Sequence, residues 1–189
     1  MTHIQLSKVI SPWWEDFNKM TPRISMIVAV AHNGVIGKGD KLAWHIRDDL
    51  RRFRHMTEGK TIIVGRNTFE QLRYAYESIG KALPDRNQII LTKNKDYSVD
   101  LPKCYVCHSV EEAIAKAKEI ESDEVYVAGG ATMFAQTLGE VSRIYLTKVG
   151  LEVDGDAFFP DYSEFSKVLS DEPKEENGIK YRYLTLERV

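Results

Sequence analysis

The alternation of short apolar runs with amphipathic windows most constrains how this chain can fold. Six predominantly apolar runs have the length of buried β-strands, at Ile24–Ala31, Thr61–Val64, Gln88–Thr92, Cys104–Cys107, Glu124–Ala128 and Arg143–Val149. Four windows with helical spacing lie between them, at Ile46–Thr57, Thr68–Tyr76, Val110–Ile120 and Ala131–Leu138. This order predicts an α/β fold with a single, mostly parallel sheet that helices cover on both faces.

The two ends of the chain depart from this pattern. Near the C-terminus, Lys180–Arg188 alternates charged and aromatic residues, which predicts an antiparallel hairpin at the sheet edge and makes the sheet mixed. Near the N-terminus, a short amphipathic helix is predicted by the apolar stripe of Trp13, Phe17 and Met20. We therefore expect an N-terminal extension over 1–23 and one domain over 24–189.

Composition excludes several classes of protein. The chain has 189 residues and a formal net charge of -2, which fits one globular domain and argues against a broad nucleic-acid surface. No apolar run approaches the roughly 20 residues that cross a bilayer, and no secretory signal is evident. Cys104 and Cys107 would point to opposite faces of a strand, so neither a disulfide framework nor a metal site is expected. We expect a cytoplasmic monomer without nucleic-acid or membrane partners; a dimer through the N-terminal helix is the alternative.

One carboxylate falls on the apolar side of a predicted helix. At about 100° of rotation per residue, an apolar arc is formed by Ile46, Leu50, Phe53 and Met56. Asp49 lies inside this arc, whereas Asp48 faces water. No arginine on the same helix is an evident partner, and an unpaired buried carboxylate is costly. Two interpretations stay open: Asp49 pairs with a cation from another segment or is wetted at a crevice, or it anchors a cationic or amide-like heterocycle through two hydrogen bonds.

Two predicted strand-to-helix corners carry glycine. Gly65 is followed by Arg66 and by Thr68, which can cap the next helix, and Gly129–Gly130 precedes another helix. Such a corner aims backbone N–H groups at a phosphate. One corner is more often plain turn chemistry, but two on one sheet predict a dinucleotide across the carboxyl ends of the strands. The glycine-rich segment 34–41 is either an ordinary exposed connection or a lid over this site.

In combination, these motifs closely resemble the dihydrofolate reductases of the bacterial chromosomal type. The resemblance covers Ile24 to Val189 and rests on segments in the same order, at Val35–Gly37, Trp44–Phe53, Gly65–Glu70, Leu83–Arg86, Val127–Gly130, Gly155–Asp156 and Phe159–Pro160. It implies the fold of that family and an NADPH-dependent oxidoreductase. The implied reaction is hydride transfer that reduces 7,8-dihydrofolate to 5,6,7,8-tetrahydrofolate, which is a step of one-carbon metabolism. The resemblance also implies that the enzyme is a target of antifolates.

The resemblance also implies roles for individual residues. Asp49 would bind the 2-amino group and adjacent ring nitrogen of the pteridine, supported by Thr147 through water, with Leu42 as a third catalytic position. Arg86 would grip the α-carboxylate of the glutamate tail. The rest of the substrate pocket would be Ile27, Val28, Ala29, Leu50, Phe53, Leu72, Ile79, Lys81, Leu83 and Ala128. NADPH would contact Ala29, Val35, Ile36, Gly37, Lys38, Gly39, Asp40, Lys41, Gly65, Arg66, Asn67, Thr68, Leu91, Thr92, Lys93, His108, Gly129, Gly130, Ala131, Thr132, Met133, Phe134 and Gln136.

Several positions depart from the family's pattern. Ala43 and Arg47 stand where proline is usual, which predicts a more flexible junction between the loop and the Asp49 helix. Ala128 and Phe134 predict a wider site with one hydroxyl fewer near the nicotinamide. Gln71–Glu77 reads as an insertion, which leaves open whether Leu72 or Ile79 forms the far pocket wall.

Two other functions stay open on the sequence. One is a related reductase of riboflavin-type pyrimidine or pteridine metabolism, which would not be expected to carry Asp49 in this context. The other is a catalytically weak nucleotide-binding module that uses its N-terminal helix to dock a partner.

Overall fold

Ten strands and four helices occupy the part of the chain that this computed structural model describes, residues 21–39 and 42–189. The strands are Arg23–Ala31 (β1), Val35–Gly37 (β2), Thr61–Gly65 (β3), Asn87–Leu91 (β4), Cys104–Cys107 (β5), Glu124–Val127 (β6), Arg143–Val149 (β7), Ala157–Phe158 (β8), Lys167–Glu176 (β9) and Ile179–Glu187 (β10). The helices are Arg47–Thr57 (α1), Arg66–Glu77 (α2), Val110–Ile120 (α3) and Ala131–Thr137 (α4), with a 3-10 turn at Leu138–Glu140.

Eight strands form one sheet in the order β5-β4-β3-β6-β1-β7-β10-β9. The first six strands in this order, β5, β4, β3, β6, β1 and β7, run parallel to one another. The hairpin of β9 and β10 then adds two strands, with β10 antiparallel to β7. Ile62, Ile63 and Val64 of β3 are all fully buried, as expected for a strand that is covered on both faces. The predicted fold class, including the C-terminal edge hairpin, is confirmed.

Alternating residues of the strands divide between two apolar clusters on opposite faces of the sheet. Met26 of β1 packs in one cluster and its neighbour Ile27 in the other. The same alternation separates Cys107 from Cys104, which confirms their predicted orientation, and both are free thiols. Ser109 caps α3 by accepting a hydrogen bond from the Glu112 N–H at 3.1 Å.

Three strands have no counterpart among the strand ranges predicted from the sequence: β2, β8 and β9, the first strand of the hairpin. β2 lies inside the segment 34–41, which reads as a loop, and β8 lies far beyond it in the chain. The two are short and pair with each other, with Val35 opposite Phe158. β9 is exposed along almost its whole length and has no apolar alternation, because only β10 pairs with it at the sheet edge. Sequence periodicity reports burial, so an exposed edge strand leaves little periodic signal.

Helix α2 differs from its prediction at both ends. It begins at Arg66, with Gly65 in the N-cap position, and no side chain caps it among the described residues. The prediction that Thr68 caps this helix is therefore wrong. The segment Gln71–Glu77 is helical and forms the second half of α2; that it is an insertion stays a prediction.

Two predictions fall on residues that the structure does not describe. One is the N-terminal helix with Trp13, Phe17 and Met20, and the other is the cofactor contact of Asp40 and Lys41 in the loop after β2. The division into 1–23 and 24–189 stays a prediction. No helix in residues 21–39 or 42–189 is long and apolar enough to cross a membrane.

Candidate active site

Helix α1 and strand β7 bring Asp49 and Thr147 together. The Thr147 hydroxyl donates to Asp49 Oδ1 at 2.5 Å, and Thr147 is buried beside Ala29 of β1. Asp49 Oδ2 has no hydrogen-bond partner among the described residues. Burial raises the pKa of Asp49 above its usual range, while Thr147 and Arg52 act in the opposite direction. The contact between Thr147 and Asp49 is direct, so the water-mediated contact that the resemblance implies is wrong. Because each carboxylate oxygen can accept two hydrogen bonds, Oδ2 and the second acceptor position of Oδ1 remain available to a ligand.

Arg52 is a neighbour of Asp49 that the sequence did not reveal. Its Nη1 donates to Thr147 Oγ1 at 3.2 Å, and its guanidinium lies 4.3 Å from the centre of the Tyr183 ring. The expectation that α1 offers Asp49 no arginine is therefore wrong. The residues are three apart on α1, but they meet through Thr147 on a different element. The i, i+3 spacing is a signal that could have suggested this contact.

Asp48 does not face water as predicted. It is half-buried, and its Oδ2 accepts hydrogen bonds from the Tyr181 and Tyr183 hydroxyls, each at 3.0 Å. The helical wheel places residues relative to their own helix and cannot include the β9–β10 hairpin that covers this side. Glu176 of the hairpin accepts from the N–H groups of Arg47 at 3.0 Å and Asp48 at 2.9 Å. Proline has no N–H to offer, so Arg47 provides a contact that the usual family residue would lack.

The apolar arc of α1 is only partly buried. Ile46 is 2% exposed, whereas Phe53 and Met56 are half-buried and Leu50 is 42% exposed. The predicted burial is therefore wrong at Leu50, because the middle of α1 borders open space and not the core. Trp44 precedes the helix and is buried, and its indole Nε1 has no hydrogen-bond partner in the described part of the chain. Exposed apolar side chains on the helix that carries Asp49 suit a flat, partly apolar ligand.

The side chain of Arg86, like Asp49 Oδ2 and Trp44 Nε1, has a polar atom without a hydrogen-bond partner among the described residues. It is 4% exposed, its Nε is buried without a hydrogen bond, and it makes no ion pair within the described residues. Its guanidinium lies 5.2 Å from the centre of the Phe53 ring. Burial lowers the pKa of Arg86, and the opposing effects of Tyr76 and Glu58 offset the loss of water only in part. An unpaired buried guanidinium is suited to bind a carboxylate ligand.

The two glycine corners meet at the carboxyl ends of neighbouring strands. The Gly65 N–H donates to the Gly129 carbonyl at 2.8 Å. A Cβ atom on Gly130 would lie 3.2 Å from Thr68 Oγ1, and Gly129 has a φ of +118°, so neither position readily accepts a side chain. The N–H groups of the first turn of α2 therefore lie at an open, glycine-lined corner, which fits the phosphates of a dinucleotide.

Further residues predicted for the cofactor lie at the same ends of β4 and β5. His108 Nδ1 is 2.9 Å from the Thr92 carbonyl oxygen, and Lys93 is exposed beside them. In the loop after β2, the Gly39 N–H donates to both carboxylate oxygens of Asp156, at 2.9 and 3.0 Å. This tether was not predicted, because Asp156 is distant in sequence.

The remaining predicted site residues differ in exposure. On the substrate side, Ile27 and Val28 are buried, Ala29, Leu72, Leu83 and Ala128 are half-buried, and Leu42, Ile79 and Lys81 are exposed. On the cofactor side, Val35, Ile36, Gly37, Met133 and Phe134 are buried, Leu91 and Ala131 are half-buried, and Lys38, Asn67, Thr132 and Gln136 are exposed. No group of residues in 21–39 and 42–189 could hold a metal ion. This arrangement is typical of the class of α/β proteins that bind a dinucleotide at the carboxyl ends of parallel strands.

Comparisons with known proteins define the family. The profile of the dihydrofolate reductase family matches residues 23–188. The chain is 36% identical over 174 residues to the dihydrofolate reductase of Staphylococcus haemolyticus, which covers 88% of this chain and 96% of that protein. It is 37% identical over 169 residues to that of Haemophilus influenzae, with coverages of 87% and 98%. The structure of dihydrofolate reductase from Enterococcus faecalis complexed with NADP(H) and RAB-propyl superposes with a TM-score of 0.75, 32% identity and coverages of 89% and 98%.

The chain belongs to the dihydrofolate reductase family. It is an enzyme of folate metabolism that uses NADPH to reduce dihydrofolate. The predicted family, activity and cofactor are confirmed, and the family match favours this activity over the riboflavin-type reductase and the weak nucleotide-binding module.

Proposed function

We propose that Asp49 is the residue through which this enzyme binds and orients the pteridine ring of dihydrofolate. The observation that carries the proposal is the hydrogen bond from Thr147 to Asp49 Oδ1, with Oδ2 left without a protein partner. The ionised carboxylate accepts hydrogen bonds from the 2-amino group and from the adjacent ring N–H of the pteridine. This paired contact fixes the orientation of the ring. Leu42, Leu50 and Phe53 contact the faces of the ring.

Arg86 binds the α-carboxylate of the glutamate tail. Its guanidinium is buried and unpaired, so the substrate carboxylate supplies the partner that the described residues do not. A planar guanidinium can donate to both carboxylate oxygens at once, which adds geometric specificity to charge neutralisation. Lys81 and Leu83 precede Arg86 and line the outer part of this subsite, and either Leu72 or Ile79 forms the opposite wall.

The dinucleotide lies across the glycine corners. Gly65, Gly129 and Gly130 keep this surface free of side chains, and the first turn of α2 offers its N–H groups to a phosphate. Arg66, with Lys93 and His108, favours the 2'-phosphate that distinguishes NADPH from NADH. When bound, NADPH supplies the hydride that reduces the pteridine.

The chain's own residues prepare this transfer and deliver no covalent chemistry. The pteridine gains a hydride at one carbon and a proton at the neighbouring ring nitrogen. Asp49 orients the ring and stabilises the positive charge that develops on it, and the proton arrives through water. The loop at Lys38 and Gly39, held by Asp154 and Asp156, limits the entry of other water molecules.

The protein functions as a monomer in the cytoplasm. Cys104 and Cys107 are free thiols, as is usual in a reducing compartment, which supports the cytoplasmic location. Sedimentation of the full chain tests the oligomeric state, and a mass of two chains would contradict it.

The experiment that tests the role of Asp49 compares wild type with Asp49→Asn. Dihydrofolate-dependent loss of NADPH absorbance is measured across substrate concentrations. We expect wild type to be active and Asp49→Asn to lose at least tenfold in kcat/KM, because an amide lacks the charge and one acceptor. Asp48→Asn is the matched control, since its amide oxygen can still accept from Tyr181 and Tyr183. Equal activity of wild type and Asp49→Asn would contradict the proposal.

A further inference from the structure

Arg52 occupies a position between the carboxylate and the C-terminal hairpin. Its Nη1 donates to Thr147 Oγ1 at 3.2 Å, and the same oxygen carries the proton that Thr147 donates to Asp49 at 2.5 Å. The guanidinium of Arg52 lies over the face of the Tyr183 ring, at 4.3 Å from its centre. Arg52 is thus held by two contacts of its planar group, with a hydroxyl of β7 and with an aromatic ring of β10.

The direction of these hydrogen bonds follows from the chemistry of the three groups. A guanidinium has donors only and cannot accept a proton from Thr147. When Arg52 donates to Thr147, the single hydroxyl proton is therefore directed to Asp49. The chain of contacts runs from a cation through a hydroxyl to an anion, and this order is more favourable when the Asp49 carboxylate is ionised than when it is protonated.

We propose that Arg52 is a positioning residue that acts through Thr147 to hold the Asp49 carboxylate ionised and in place for the pteridine. This inference rests on the proposed function of Asp49 and adds a residue to it. Arg52 has no assigned contact with substrate or cofactor, so its effect reaches the reaction through Asp49.

The size of the effect follows from distance. Two hydrogen bonds that share the Thr147 oxygen place the Asp49 oxygen and the Arg52 nitrogen at most about 6 Å apart. At an effective dielectric between about 20 and about 80, this attraction changes the proton affinity of Asp49 by between about a hundredfold and about threefold, and the middle of this range is about tenfold, or about one pH unit. Arg52 therefore opposes the effect of burial, which raises the pKa of Asp49.

Other charged or titratable groups face the pair, and a test must separate them from Arg52. They come from α1, β7, β9 and β10, and comprise Asp48, Tyr145, Glu172, Lys174 and Tyr183. Arg51 provides the matched control, because it is the adjacent residue of α1, carries the same charge and is exposed. Replacement of Arg51 or Arg52 changes the net charge equally.

The test is a carboxyl carbon NMR titration of the full-length protein without ligands, labelled at aspartate, with Asp49→Asn to assign the resonance. We expect the titration midpoint of Asp49 to rise by about one pH unit in Arg52→Gln and Arg52→Met, to stay at the wild-type value in Arg51→Gln, and to return toward it in Arg52→Lys. Both Arg52→Gln and Arg52→Met are measured, so that if one variant misfolds the other still gives the titration midpoint. Because the acid limb of kcat/KM requires ionised Asp49, it should move with the same midpoint.

Two results would overturn the inference. One is a midpoint in the neutral Arg52 variants equal to wild type. The other is an equal rise in Arg51→Gln, which would make the effect one of general surface charge. Failure of the proposed function gives a different result, since Asp49→Asn would then be as active as wild type, while the NMR titration still decides the link between Arg52 and Asp49.

Discussion

Replacement of Thr147 by valine separates the charged contact at the site from ordinary packing. Valine keeps the shape and β-branching of threonine but removes the hydroxyl that donates to Asp49 at 2.5 Å and accepts from Arg52 at 3.2 Å. A hydrogen bond to a charged group contributes about 1.5–3 kcal/mol and one between neutral groups about 0.5–1.5 kcal/mol. Thr147→Val should therefore lose about 1 kcal/mol more when Asp49 is ionised than when it is protonated, or about one pKa unit.

The sign of the pH dependence follows from proton binding. Burial raises the pKa of Asp49 in the folded protein, so the folded state holds this proton more tightly than the unfolded state, and stability from this group falls as pH rises through that interval. Loss of the Thr147 hydroxyl raises the folded pKa further. The difference in unfolding free energy between wild type and Thr147→Val should thus be smaller at about pH 4.5 than at about pH 8.

Urea unfolding across this pH range measures that difference. Thr137→Val is the matched control, because Thr137 is also 1% exposed but its hydroxyl donates to a neutral acceptor, the Met133 carbonyl, at 2.8 Å. Its loss of stability should be independent of pH. An equal loss at every pH for Thr147→Val, or an equal slope for Thr137→Val, would refute the reasoning.

Three further predictions address other contacts. Arg86→Leu should raise the KM for dihydrofolate about tenfold to a hundredfold, because it removes charged hydrogen bonds to the substrate. It should also raise the melting temperature, because a buried unpaired guanidinium is lost. Steady-state kinetics measures the first effect and calorimetry the second, and an unchanged KM would contradict the role of Arg86. Glu176→Ala should accelerate hydrogen exchange of the first two amides of α1, which then lack their acceptor, whereas unchanged protection would show that the contact is dispensable. Asp156→Ala should accelerate exchange of the Gly39 amide in the same way, and protection equal to wild type would exclude the tether.

The parts of the fold that the sequence predicts are those in which burial leaves a periodic pattern. β3 reads as a strand because all of Thr61–Val64 is buried between helices, and α3 reads as a helix because Ser109 caps it and its apolar positions repeat. β9 leaves no such pattern, because its side chains are exposed on both faces at the sheet edge. Hydrogen bonding to β10, which is invisible in the sequence, defines this strand.

The same distinction applies to the site. The position of Asp49 within an apolar arc was evident from α1 alone, but its neighbours come from distant segments. Thr147 was named through family resemblance, and the structure places it on Asp49, 98 residues away in sequence. Asp48 and Arg52 were misjudged because Tyr181 and Tyr183 of the hairpin cover the face that a helical wheel assigns to water. Long-range pairing therefore sets the electrostatics of this site.

A crystal structure of the protein with NADP+ and folate would show directly which residue holds the pteridine. We expect both carboxylate oxygens of Asp49 to lie within hydrogen-bond distance of the pteridine, at its 2-amino group and adjacent ring nitrogen, with Thr147 still donating to Asp49. We also expect the α-carboxylate of the ligand on Arg86. A pteridine bound away from Asp49, or held by a different carboxylate, would contradict the account.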